Sequence, residues 1–271
     1  MPFRTFPHWL AGLAVLAMLI ALPACSRHPP QDAQPLDKAD IRRFMATHYG
    51  PYARGKGWLS ADDGAGSVAT AHNICASLNI NTGSRPHLLM AVCQDSEEPQ
   101  AGLIQGSTDF FDLEKIKGAI KIRAQLEHIK SGTQGSANPV RVVRLGQELY
   151  AFEQTGSAMY MEQGCGGNSL QYYSVRDDHF LTLLNIVQDS ASGDSYTDGI
   201  QTDNHLTLTI DSSHPERPAY PLDIAVEYSR WNQNNPAQAP HTTHKAFVLQ
   251  FNNRKWRYEL PAAFTPLAIN C

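Results

Sequence analysis

Three features of the chain predict a mainly β fold: antiparallel sheets, packed as a sandwich or wrapped barrel-like, with one N-terminal helix. From about residue 67 to the C-terminus, short runs rich in β-branched and aromatic residues recur, with Gly, Asn, Asp or Pro between nearly all of them. The runs are nearly regular in spacing and joined by turn-length connections, which pairs neighbours antiparallel. Only one stretch has apolar residues at helical spacing between a start and a stop signal.

That stretch opens at Asp37, an N-cap residue, and runs to about Tyr49 with Ile41, Phe44, Met45 and His48 on one face. Gly50-Pro51 ends it, and its apolar face is expected to pack on the domain. Next come two apolar runs, 67–80 and 87–94, around the turn-rich Asn81-Thr82-Gly83-Ser84-Arg85-Pro86, which predicts a hairpin. In 113–129, Lys115, Lys117 and Lys121 alternate with Ile116, Ile120 and Ile122, so helix and strand compete and strand is preferred. Further strands are expected at 142–145, 149–153, 159–161, 170–175, 180–187, 206–210, 222–228, 247–251 and 256–260. Asp177-Asp178 reads as a tight turn, Asn252-Asn253 as a two-residue hairpin turn, and 232–241 as an exposed loop.

Ahead of all this, Met1 to His8 carries Arg4 and no acid, and the uncharged run Trp9 to Leu22 is too short to span a bilayer. Leu22-Pro23-Ala24-Cys25 resembles the lipobox of bacterial lipoproteins, with Pro23 where that family usually has a small non-proline residue. The resemblance implies a signal peptide over 1–24, a diacylglycerol and a fatty acyl (palmitate) chain on Cys25, and cleavage just before it. Ser26 rather than aspartate follows the cysteine, which by the same resemblance implies the periplasmic face of the outer membrane. Residues 25–35 are rich in proline and glutamine and read as a lipidated tether, leaving 36–271 as one periplasmic domain. The formal charge is −4 and no Lys/Arg block occurs in the mature part, which argues against a nucleic-acid partner.

Beyond Cys25, four cysteines remain: Cys75, Cys93, Cys165 and Cys271. An even number fits an oxidising compartment and allows three connectivities. A hairpin over 67–94 would set Cys75 against Cys93 and leave Cys165 for Cys271. Free buried thiols or a zinc site are the alternative.

No cofactor is expected from the motifs. The acidic loop 189–203 offers Asp189, Asp194, Asp198 and Asp203 to calcium, but the twelve-residue ligand pattern is broken and a solvated turn is the simpler reading. His241-Thr242-Thr243-His244, with His205 and His214 nearby, lacks the glutamate of the metalloprotease motif, and offset three on a strand splits the pair between faces. Gly156-Ser157 and Gly66-Ser67 lack the nucleophile elbow, and Asp109, Asp112, Asp177 and Asp178 are carboxylates without a paired signature. The reading is therefore a binding protein rather than an enzyme. The glycine-rich segment 155–168 is the expected partner-binding loop, through Thr155, Gly156, Ser157, Met159 and Tyr160. It faintly resembles the Ser-Gly-x-x-Tyr motif of periplasmic lysozyme inhibitors, with threonine for serine and one extra residue before Tyr160. This implies a module that binds a periplasmic protein, such as a cell-wall hydrolase that it inhibits. A structural or assembly factor of the outer membrane is the next reading, and a hydrolase of envelope polymers the third.

Overall fold

The computed structural model of the chain describes residues 33–60, 70–81, 85–95, 105–132, 135–160, 165–193, 199–235 and 237–267. Cys25, the expected signal peptide and most of the expected tether lie outside the described residues. Among those described, no helix is long and apolar enough to cross a membrane.

Helix α1 (Lys38–Tyr49) begins and ends where its signals place it. Asp37 Oδ1 accepts from the N–H groups of Ala39 and Asp40 at 2.8 Å each, and Asp40 Oδ2 accepts from Asp37 N at 3.1 Å, satisfying donors that a helix start leaves open. At the other end Gly50 has φ 103°, and a Cβ there would run into the Leu59 carbonyl, so only glycine makes this exit. Lys115 Nζ reaches Asp40 Oδ2 at 2.7 Å, tying the first turn of the helix to the sheet beneath.

The first sheet contains β1 (Ala33–Gln34), β2 (Tyr52–Ala53), β3 (Gly57–Leu59), β4 (Ala71–Ile80), β5 (His87–Asp95), β6 (Gly106–Ile116) and β7 (Ala119–Ser131). Its order is β1-β6-β5-β4-β3-β2, with β7 also on β6, and all pairs are antiparallel. The stretch 113–129 is strand, as preferred: β6 and β7 meet at Lys117-Gly118, both at positive φ (51° and 79°), the backbone of a type I′ hairpin. Cys75 and Cys93 are joined between β4 and β5, with Cα atoms 5.7 Å apart. Cys165 opens a strand of the second sheet. Its expected partner Cys271 lies outside the described residues.

The second sheet is a meander in which every strand pairs with its neighbour in the chain: β8 (Val140–Arg144), β9 (Tyr150–Tyr160), β10 (Cys165–Arg176), β11 (His179–Gly193), β12 (Ile200–Ile210), β13 (Leu222–Asn232), β14 (His241–Asn252) and β15 (Arg257–Glu259). Asp177-Asp178 is the tight turn expected, at φ 50° and 64°. Asn252-Asn253 is not a two-residue turn. Asn252 ends β14 and its Oδ1 accepts from Arg254 N and Lys255 N at 3.0 Å, closing a four-residue connection. Two expected loops are also corrected. Residues 155–160 and 165–168 belong to β9 and β10, because Gly156 and Gly167 serve close approach: a Cβ on Gly156 would strike Ser169 Oγ, and one on Gly167 the Asp189 carbonyl. Asp189 and Asp203 likewise sit on β11 and β12, while Asp194 and Asp198 lie outside the described residues.

Three layers result. On β5, Leu88, Met90 and Val92 face α1, where Leu36, Phe44, Met45 and Tyr49 cover them together with Phe111 and Leu113. The alternate residues Leu89, Ala91 and Cys93, with Phe110, face Val140, Phe152 and Tyr173 of the second sheet. Burial on both faces explains why 88–93 reads as a continuous apolar run. The second sheet then curls into a half-barrel around its own core, which includes Tyr172, Leu183, Leu206, Leu222, Ile224, Leu249 and Tyr258. Each such side chain contributes about 1.5–3 kcal/mol on burial.

Candidate functional site

Where the two sheets part at one end, they leave a cleft of about 400 Å³. Ile80, His87 and Leu89 form one wall, and Leu149, Ser174, Val175 and Arg176 the other, with Trp256 and Pro218 closing the end. Local structure fixes the second wall. The chain turns sharply between Leu145, whose N–H donates to Leu149 O at 2.7 Å, and the start of β9. Arg144 caps that turn, donating to Gly146 O and Gln147 O at 2.9 Å each. Tyr220 N and Gln147 N dock the 211–221 segment on it, and so place Pro218.

Charged and titratable groups in the cleft are Arg176, His87 and Glu148, and Arg176 Nε also lies 3.4 Å from Asp177 Oδ2. The Arg176 guanidinium lies 4.8 Å from the Trp256 ring centroid, a cation–π contact. Trp256 is held at φ 53°, and its Nε1 is buried with no hydrogen-bond partner, a state that costs about 1–3 kcal/mol. His87 Nδ1 sits 2.6 Å from Asp112 Oδ1, so Nε2 is the nitrogen left for a ligand. Asp112 is fully buried, and Arg123 Nη1 offsets its charge from 3.2 Å. Ser174 Oγ donates to Tyr150 O at 2.6 Å and not to His87, so this hydroxyl lacks the base that a nucleophile needs. The cleft combines apolar walls with one cation, one carboxylate (Glu148) and one oriented imidazole, the makings of a site for a small polar ligand that carries an acceptor for Arg176 and His87.

A second polar cluster joins α1 to the first sheet. Asp109 lies at a β-bulge between β6 and β7, accepting from Tyr49 OH at 2.8 Å and from His128 N at 2.7 Å. Burial pushes the Tyr49 hydroxyl's pKa far up, and the Asp109 charge adds to it. His72 stacks on Tyr49 with centroids 4.2 Å apart, and burial holds its pKa below the usual histidine value, opposed by Asp109. Of the four carboxylates named from the sequence, Asp109 fixes the helix, Asp112 orients His87, and Asp177-Asp178 form a turn; Arg123 links Asp112 (3.2 Å) with Asp178 (3.9 Å).

Of the expected partner-binding residues, Thr155, Gly156, Ser157, Met159 and Tyr160 all lie on β9, past Gln154, where the ladder with β8 stops. Asn138 Nδ2 donates to the Thr155 carbonyl at 2.6 Å. Beyond it, residues 156–160 pair with β10 alone among the described strands. Tyr150 lines the cleft and Tyr160 ends the same strand, about 30 Å away at 3.3 Å per residue, so the segment and the cleft are separate places. His87, Arg176 and Trp256 were missed by the sequence reading because each comes from a different hairpin and none carries a motif. Compared with known proteins, the chain matches no family model, no curated protein and no solved structure.

Proposed function

We propose that the protein is a lipid-anchored envelope lipoprotein that works as a binding module, with the inter-sheet cleft as its ligand site. The lipobox-like segment at Cys25 would hold the domain on the periplasmic face of the outer membrane, and the Cys75–Cys93 bridge suits that oxidising compartment. The observation that carries the reading is that Arg176 and Asp112-oriented His87, together with Glu148, line one cleft between apolar walls. Its volume suits a ligand the size of a single sugar or a short peptide end. Binding is favoured over hydrolysis because Ser174 is committed to a carbonyl.

A second reading keeps the periplasmic protein partner, such as an inhibited cell-wall hydrolase. Its support is the edge at 156–160, which among the described strands pairs on one side only and has no charged residue to repel a strand. Partner contact would then be by strand addition and not by a displayed loop.

The test is native mass spectrometry of mature protein purified from its own envelope, beside Arg176→Ala. A small co-purifying species present in the wild type and lost in the variant, with circular dichroism unchanged, is expected. Its absence from the wild type, or its persistence in Arg176→Ala, defeats the cleft reading. A photo-cross-linker at position 157 that captures a protein regardless of Arg176 favours the strand edge instead.

A further inference from the structure

Asp189, His205, Glu227 and His244 come from four consecutive strands and form one row. The register of the second sheet sets Asp189 opposite His205, His205 opposite Glu227, and Glu227 opposite His244. Residues directly opposite project from the same face with Cβ atoms about 4.5–5.5 Å apart, so the two histidines flank Glu227 symmetrically. That face is the outer one: neighbouring Leu206 and Val226 point into the core, while the four side chains are 39–73% exposed. The His241–His244 segment contributes only His244, since His241 is opposite Arg230. Offset three does separate the two histidines of that motif, and the pairing register supplies other partners in their place.

We propose that His205, Glu227 and His244 form a zinc site, with Asp189 as the carboxylate that orients His205. Asp189 Oδ1 lies 2.5 Å from His205 Nδ1, which fixes the proton on Nδ1 and presents Nε2, the arrangement found behind metal-bound imidazoles. Glu227 Oε2 is 3.7 Å from His244 Nδ1. As they stand, the four pair two by two, acid with histidine, and among the described residues no three such groups converge on one point. Convergence needs only side-chain rotation. A metal above Glu227 is offset by one strand spacing, about 5 Å, from each histidine's strand. An imidazole's length plus a Zn–N bond of about 2 Å spans that offset. The side chain that must swing, His244, is the most exposed of the four, so its rotamer is unconstrained by packing. Two histidines and a glutamate are the donor set of three-ligand zinc sites that keep a fourth position open. Here that position faces a trough of about 360 Å³ floored by Thr207, Ala225 and Ala246.

Titration of the mature protein, after chelation, with zinc by calorimetry and with cobalt by visible absorption tests the site. One metal per chain is expected, with the intense cobalt bands of a four-coordinate centre. His205→Ala, Glu227→Ala and His244→Ala should each abolish it, and all three change exposed residues, so thermal melts should be unaltered. Asp189→Asn should retain the site but bind about 10-fold or more weakly, the size of an orienting-carboxylate effect. No stoichiometric binding by the wild type, or binding that survives His205→Ala or His244→Ala, overturns the site. Wild-type affinity in Asp189→Asn removes the orienting role.

Discussion

The two sheets are held by different means. Strand β6, central to the first, buries Ser107, Thr108, Asp109, Asp112 and Glu114 along its length, and neighbouring groups answer most of them: Gln94, Gln154, Tyr49, His87 and Arg123. The core of the second sheet is mostly aliphatic and aromatic, and its buried polar groups are answered less completely: Tyr172 OH donates to Glu153 at 3.0 Å, Tyr258 OH to Tyr220 O at 2.9 Å and Ser174 Oγ to Tyr150 O at 2.6 Å, while Ser190 Oγ and Asn204 Oδ1 have no partner among the described residues. Directional bonds tolerate only one alignment, whereas apolar area accepts any shape of the right volume. The polar sheet is thereby the specific one and the apolar sheet the forgiving one.

The widest gap should appear on deleting Asp109. Asp109→Ala strands the buried Tyr49 hydroxyl and takes the acceptor from the partly buried His128 amide, and should lower unfolding free energy by about 4 kcal/mol. Urea denaturation measures it, and a loss under about 1 kcal/mol would mean the bonds of β6 are ornamental. Shape-preserving changes sharpen the contrast. Asp109→Asn, which turns an acceptor into a partial donor facing two donors, should cost about 2 kcal/mol, while Leu206→Met should cost about 1 kcal/mol or less. Equal costs would erase the distinction.

The smallest effect concerns pH. Because the folded-state pKa of His72 is depressed, the unfolded chain gains its proton first as pH falls below about 6.5. Stability is therefore full above that pH and is lost on acidification toward the lower folded value. Melting temperatures at pH 7.5 and 5.5 should differ less in His72→Phe than in the wild type, and a larger difference in the variant would reverse the sign of the argument.

What could be read from the sequence was what short-range chemistry decides. Asp37 and Gly50 mark α1 because both act within one turn of the helix, and the Cys75–Cys93 hairpin needs only a turn between two apolar runs. The meander was legible for the same reason, strand by strand. The errors fall where a local signal has two uses. Glycines at 156 and 167 looked like loop and are contact points between strands, and paired asparagines looked like a two-residue turn where Asn252 caps a longer one. The cleft and the Asp189–His244 row were illegible, since both depend on register between hairpins far apart in the chain. His87 needs Asp112 from β6, and Trp256 meets Arg176 only once the half-barrel has curled.

The pairing of β1 with the far end of β6, Ala33 opposite Ile116, sets an order of events for a chain that emerges from its N-terminus. Phe44 and Met45 appear early, yet the surface that shelters them, Met90 and Phe111, is made only about 45 to 67 residues later. Until then the newborn helix has its greasy side uncovered. Strands β8 to β15 have no such wait, since each finds its mate in the next piece of chain. The first half thus closes its core only after a long stretch of chain has followed, and the second half can assemble as it arrives.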